Sequence, residues 1–116
     1  VIDAALAGEP FCYLTTTGRV SGNPHTIEIW FALSGPTLYL LSGGGDRSDW
    51  VRNLARNSDV SVRIRDEHFP GRAREVSDAS EDERARDLLV EKYQPGYRGD
   101  LAEWRRTALP VAIDIL

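Results

Sequence analysis

Apolar and polar positions alternate with a period of two through much of this chain, and a period near 3.6 replaces it in two places. Phe11–Thr17 carries aromatic and β-branched residues and closes on a threonine run, the composition of a strand. Gly18–Pro24 is turn-forming, His25–Leu33 reads as a second strand, Ser34–Pro36 as a tight connection and Thr37–Ser42 as a third strand. The connections are too short for parallel crossovers, so these three should form an antiparallel meander. After a break at Gly43–Asp46, Ser48–Arg56 places Trp50, Val51 and Leu54 at helical spacing, with Asp46 or Ser48 to cap the start. Val60–Arg65 alternates Val60, Val62 and Ile64 against Ser61, Arg63 and Arg65, and a turn over Asp66–Gly71 leads to a strand over Gly71–Val76. Ser80–Tyr93 is the clearest helix, with Ser80 and Glu83 at capping-box spacing and acids in the first turn. A Pro/Gly loop over Gln94–Asp100, a short helix over Leu101–Thr107 and a last strand over Pro110–Leu116 complete the chain, and Val1–Ala7 reads as the remnant of a helix.

Strands that outnumber helices, joined mostly by short loops, favour an α+β fold built on an antiparallel barrel with peripheral helices. The 116 residues suit one domain, 1–116, and 41% hydrophobic residues supply a core. No apolar run approaches the roughly 20 residues of a spanning helix, so no transmembrane segment is expected. The chain opens on Val1 and has no Met, which leaves an upstream targeting segment open. One cysteine, Cys12, excludes an internal disulfide and fits a reducing compartment. A net charge of −4 gives no argument for nucleic acid. One cysteine and two distant histidines, His25 and His68, make no metal site.

Two loops carry candidate chemistry. Thr15–His25 ends a strand in three hydroxyls, turns at Gly18, and returns through Asn23-Pro24, so it can offer backbone N–H groups, hydroxyls and the Arg19 guanidinium to an anion; an ordinary hairpin is the alternative. Ser42–Trp50 holds Gly43, Gly44 and Gly45 before a helix start, a place for close backbone approach to phosphate or simply a flexible connection. It has neither the Walker ending nor the dinucleotide fingerprint.

Taken together, Thr15–Pro24, Leu40–Gly45, Trp50-x-x-Asn53-Leu54-x-x-Asn57-x-x-Val60 and Tyr93-x-x-x-Tyr97…Trp104…Leu109-Pro110 resemble the deazaflavin-dependent nitroreductase family, over nearly the whole chain. The resemblance implies an α+β split β-barrel of about six antiparallel strands, related to FMN-binding and pyridoxamine 5′-phosphate oxidase-like proteins, with reduced coenzyme F-420, a deazaflavin, as hydride donor. It places the cofactor's phosphate and acidic tail near Arg19, Ser21, Gly22, Asn23, Pro24 and His25, and its ring near Ser42, Gly43 and Gly44. Arg47 joins the binding set, Trp50 and Asn53 hold the helix onto the barrel, and Trp30, Tyr93, Tyr97 and Trp104 line the pocket over the ring. The chain departs from the family pattern at Val20, His25 and Gly43, where a basic residue or Arg is usual, and at Leu101, where a Tyr is usual; Arg47, Arg52 and Arg56 stand near to compensate.

Hydride delivery to a quinone, enone or nitro compound leaves an anion that needs a donor, and Tyr97 and Tyr93 are the candidate catalytic groups, with Trp30 and Trp104 as substrate walls. A flavin split barrel using FMN, and a non-catalytic binder of a lipid, haem or flavin, are the alternatives. The expected partner is a small electrophile, a homodimer is admitted, and the expected location is cytoplasmic or at a membrane periphery.

Overall fold

The computed structural model describes residues 2–116; Val1, the first residue of the expected N-terminal helix, lies outside them. After a 3-10 turn at Ala4–Gly8 come β1 (Cys12–Thr17), β2 (Pro24–Ile29), β3 (Ala32–Ser34), β4 (Thr37–Ser42), α1 (Asp49–Arg56), β5 (Asp59–Ile64), β6 (Glu67–Glu75), α2 (Ala79–Tyr93), α3 (Ala102–Thr107) and β7 (Leu109–Ile115). All strand pairs are antiparallel, in one curled seven-stranded sheet of order β2-β1-β5-β6-β7-β4-β3.

The expected meander is corrected by this order. His25–Leu33 is two strands, not one, and β2 and β3 occupy opposite edges of the sheet. The break falls at Trp30–Phe31 because α2, rather than a neighbouring strand, satisfies the backbone of Phe31. The Phe31 N–H donates to the Tyr93 hydroxyl at 3.0 Å, and its carbonyl accepts from Lys92 Nζ at 2.9 Å. The chain thus crosses from one edge to the other and draws the sheet into a half-barrel of seven strands rather than about six.

Inside the curl, alternate residues of each strand meet: Cys12 and Leu14, Leu38 and Leu40, Val60, Val62 and Ile64, Val111 and Ile113, with Phe31, Val51 and Leu54. A second cluster lies outside the sheet, where α2 presses Ala85 and Leu89 onto Tyr39, Leu41 and Ala112. Strands β4 and β7 are therefore buried on both faces, which the alternation of β7 alone does not reveal.

Three local expectations are shifted. The cap of α2 is Asp78, which accepts from Glu81 N–H at 2.9 Å and from Ser80 Oγ at 2.7 Å, so the cap sits two residues before the Ser80–Glu83 box; a carboxylate answers the helix dipole better than a hydroxyl. Ser48 occupies the cap position of α1, but its hydroxyl bonds Ser42 Oγ at 2.8 Å instead of a helix N–H. β6 begins at Glu67 rather than Gly71, because a two-residue turn at Arg65–Asp66, with Arg65 at φ 55°, starts the hairpin earlier. Pro70 is tolerated there because the β6–β7 ladder starts only at Gly71. Among the described residues no helix is long and apolar enough to cross a membrane.

Candidate functional site

The β1–β2 loop is folded by its own backbone. Gly18 N–H donates to Asn23 O, Gly22 N–H to Gly18 O, both at 2.8 Å, and Asn23 N–H to Ser21 Oγ at 3.1 Å. Gly22 has φ 76°, a conformation that glycine adopts without strain. The His25 imidazole lies against Gly18, where an added Cβ would come within 2.6 Å of Nε2.

Asn53, 4% exposed, ties this loop to α1: its Oδ1 accepts from Arg19 N–H and Nη1, and its Nδ2 donates to Thr16 Oγ1. Arg19 also meets Asp49 at 3.2 Å, and this carboxylate is largely exposed. Gly18, Arg19, Val20, Ser21, His25, Asp49 and Asn53 enclose a concavity of about 340 Å3. An incoming anion there competes with an exposed, weakly held carboxylate for a guanidinium already fixed in place. Gly22, Asn23 and Pro24 shape this loop without lining the concavity.

A second, larger cavity of about 550 Å3 is lined by aromatic side chains Phe11, Trp30, Tyr97 and Trp104, by Ile29, Leu41 and Leu101, and by Glu28, Asp100 and Glu103. Trp30 is its centre. It stacks on Tyr93 with centroids 4.1 Å apart and meets Tyr97 and Trp104 edge-on at 5.8 and 5.7 Å. Trp104 is anchored through its helix, where Arg105 pairs with Asp87 at 2.5 Å and with Glu83, and Arg86 bonds the Arg105 carbonyl. Its ring lies 3.7 Å from the position of a Cβ on Gly43, so the glycine loop packs beside this tryptophan.

The sequence-predicted residues divide in the structure. Trp30, Tyr97 and Trp104 come together around the larger cavity, and Arg19, Ser21 and His25 around the smaller. Ser42 is buried, and its hydroxyl is consumed by Gly45 O at 2.9 Å and Ser48 Oγ, so only its backbone can face a ligand. Gly43 and Gly44 are exposed along the loop, and Arg47 is exposed in the following 3-10 turn, lining neither concavity.

Tyr93 is not disposed as a proton donor. Its hydroxyl accepts from Phe31 N–H and donates to Pro10 O at 2.8 Å, and burial pushes its phenol up to about 12. Tyr97 differs: it is 47% exposed, and its hydroxyl has no hydrogen-bond partner among the described residues. Its ring lies on Gly99, and the Gln94 amide clamps the loop by donating to Gly99 O and accepting from Leu101 N–H. Gln94, Phe11, Glu28 and Asp100 were absent from the sequence-derived site. Glu28 alone had a usable signal, since it lies two residues before Trp30 on the same strand face.

The larger cavity's lining carries three carboxylates and no cation. Glu28 accepts from Tyr13 at 2.9 Å, Asp100 from Ala102 N–H at 2.9 Å, and Glu103 pairs with Arg106 at 2.6 Å. Among the described residues, no group of three or more His, Cys, Asp or Glu side chains could hold a metal ion.

The curled antiparallel sheet of seven strands with its peripheral helices is a split-barrel fold. Solved structures share this fold: an F420-H2 dependent reductase (TM-score 0.72, 24% identity, 90% of this chain and 93% of that one) and an FAD-binding protein from Mesorhizobium loti (TM-score 0.70, 18% identity, 95% and 82%). A domain-swapped dimer is also similar, with TM-score 0.73 and 26% identity over 97% of this chain and 82% of that one. The family profile of the F420H(2)-dependent quinone reductases matches residues 2–115, and the chain belongs to that family. It is therefore an oxidoreductase dependent on reduced coenzyme F-420.

The residues present fit that cofactor. A guanidinium, a hydroxyl and an imidazole converge at the smaller concavity and can take an anion, and the larger cavity offers aromatic faces on which a planar ring can lie.

Proposed function

We propose that the chain delivers a hydride from the reduced deazaflavin to a small, uncharged, planar electrophile, a quinone, enone or nitro compound, seated in the aromatic cavity. The observation that carries this reading is that residues on either side of the glycine loop in sequence line the two concavities. Asp49, beyond its end, lines the smaller, while Leu41 and Trp104, the latter against Gly43, line the larger.

Arg19, Ser21 and His25 would hold the phosphate, on a turn shaped by Gly22, Asn23 and Pro24. The backbone of Ser42, Gly43 and Gly44 would lie along the ring, and Arg47 would meet the acidic tail. When bound, the reduced deazaflavin supplies the hydride. Trp30 and Trp104 fix the plane of the electrophile and exclude water from it. Tyr97 directs its free hydroxyl at the oxygen on which negative charge develops and gives it a proton. Tyr93 holds Trp30 in position. Glu28, Asp100 and Glu103 repel anionic electrophiles, which favours neutral ones. A homodimeric assembly draws support from the domain-swapped neighbour.

The test is steady-state oxidation of the reduced cofactor by a neutral naphthoquinone and by its sulfonated analogue. The neutral compound should be reduced with kcat/KM about tenfold or more above the anion, a difference of about 1.4 kcal/mol. Equal rates would remove the charge argument, and no oxidation by any quinone, enone or nitro compound would remove the proposed electrophile class.

A further inference from the structure

Lys92 is the only lysine of the chain, and nothing in the hydride-transfer reading uses it. It stands in the last turn of α2, its Nζ 2.9 Å from the Phe31 carbonyl and 3.6 Å from the centroid of the Phe31 ring. Together with Gly8, Pro10, Trp30, Tyr93, Gly96 and Tyr97, it lines a separate cavity of about 300 Å3. Gly8, Pro10, Gly96 and Tyr97 of its lining are exposed, so this cavity opens to solvent. Trp30 and Tyr97 are walls of the electrophile cavity too, so a planar conjugated compound drawn to one finds the same aromatic surfaces at the other.

We propose that Lys92 is a covalent capture site for small conjugated carbonyl compounds. The neutral amine adds to the β-carbon of an enone: a C–N bond forms, the C=C π pair moves to the α-carbon, and the proton released from nitrogen ends there. The product is a saturated carbonyl on a secondary amine, with no oxidant and no leaving group. Burial pulls the Lys92 ammonium down to about 8, against the opposing effects of Cys12 from β1 and Glu9 from the segment before it. About a tenth is then neutral at pH 7, far more than for an ordinary lysine. The rival nucleophile, the Cys12 thiol, is fully buried and pushed up to about 12.

The proposal takes only its class of electrophile from the reductase reading. The adduct needs no cofactor, so either can fail alone. The experiment exposes the purified full chain, without added cofactor, to methyl vinyl ketone over a range of pH and locates adducts by peptide mass mapping. One adduct at Lys92 is expected. Its rate should level off above about pH 8 and, at neutral pH, exceed that of acetyl-lysine, whose amine titrates near 10.4, by about tenfold or more. Lys92→Arg should abolish it. Adducts confined to the N-terminal amine or Cys12, or a Lys92 labelled no faster than acetyl-lysine, would overturn the proposal. The wild-type map and rate decide this even if the variant fails to fold.

Discussion

Trp30 and Tyr93 stack with ring planes only 4° apart, although one follows the end of a strand and the other ends a helix far along the chain. The same tyrosine accepts from the Phe31 N–H while Lys92 donates to the Phe31 carbonyl, so the side chain that helps break the strand also backs the central wall of the cavity.

From that arrangement, Tyr93→Phe and Tyr97→Phe should separate cleanly. Tyr93→Phe strands the Phe31 N–H and the Pro10 carbonyl and should cost about 1–3 kcal/mol in denaturant unfolding. Tyr97→Phe removes a hydroxyl without a partner among the described residues; it should leave unfolding within about 0.5 kcal/mol of wild type and lower kcat about tenfold to hundredfold. Loss of kcat in the first with full activity in the second would reverse the assigned roles.

Asn53→Ala should weaken both stability and cofactor binding. It removes the acceptor of Arg19 N–H and Nη1 and the donor to Thr16, at a cost of about 1–3 kcal/mol by urea titration, and releases the guanidinium that faces the smaller concavity. Unchanged affinity for oxidised F-420 in a folded variant would detach Arg19 from cofactor binding.

Much of this was legible in the residues and some was not. Strand alternation gave β5 and β7 to within a residue or two, since Val60, Val62, Ile64, Val111 and Ile113 must share one face. The split of His25–Leu33 was not legible, because the groups that break it, Lys92 and Tyr93, are remote in sequence and local pattern carries no trace of them. Arg19, Ser21 and His25, which line the smaller concavity, and Trp30, Tyr97 and Trp104, which line the larger, were named from composition and family resemblance. Asp100 was not, because an exposed polar residue looks alike whether it borders a cavity or bulk water. The partners of the Tyr93 hydroxyl, Phe31 N–H and Pro10 O, were hidden as well, because a phenol's partners are tertiary.

Acid should unfold the protein through the Arg74 cluster. Hydrogen bonds from Arg74 first and Tyr39 second hold the Glu81 carboxyl down at about 2, from an ordinary 4.5, and Arg74 also holds Asp114 below the usual range. A carboxyl depressed in the folded state stabilises fully above its unfolded value and loses that contribution as pH falls toward the folded one. Stability should therefore decline between about pH 5 and pH 2, and Glu81→Gln should flatten that decline when thermal unfolding is followed by circular dichroism. An identical acid limb in the variant would place the titration elsewhere.

Val20 is 93% exposed on the anion-facing loop. Val20→Arg should tighten F-420 binding about two- to fivefold at low ionic strength, an advantage that added salt erases because the new charge stays solvated. An unchanged or weaker affinity would indicate that the anionic tail does not pass this loop.

The most direct test of the central claim is a titration of the chain with oxidised coenzyme F-420 and, in parallel, with FMN, read by tryptophan fluorescence. With Trp30 and Trp104 on the cavity wall, F-420 should quench the fluorescence saturably at micromolar concentrations and in clear preference to FMN, and Arg19→Ala should weaken it. Preferential binding of FMN, or quenching by neither, would contradict the assignment of these two concavities to the deazaflavin.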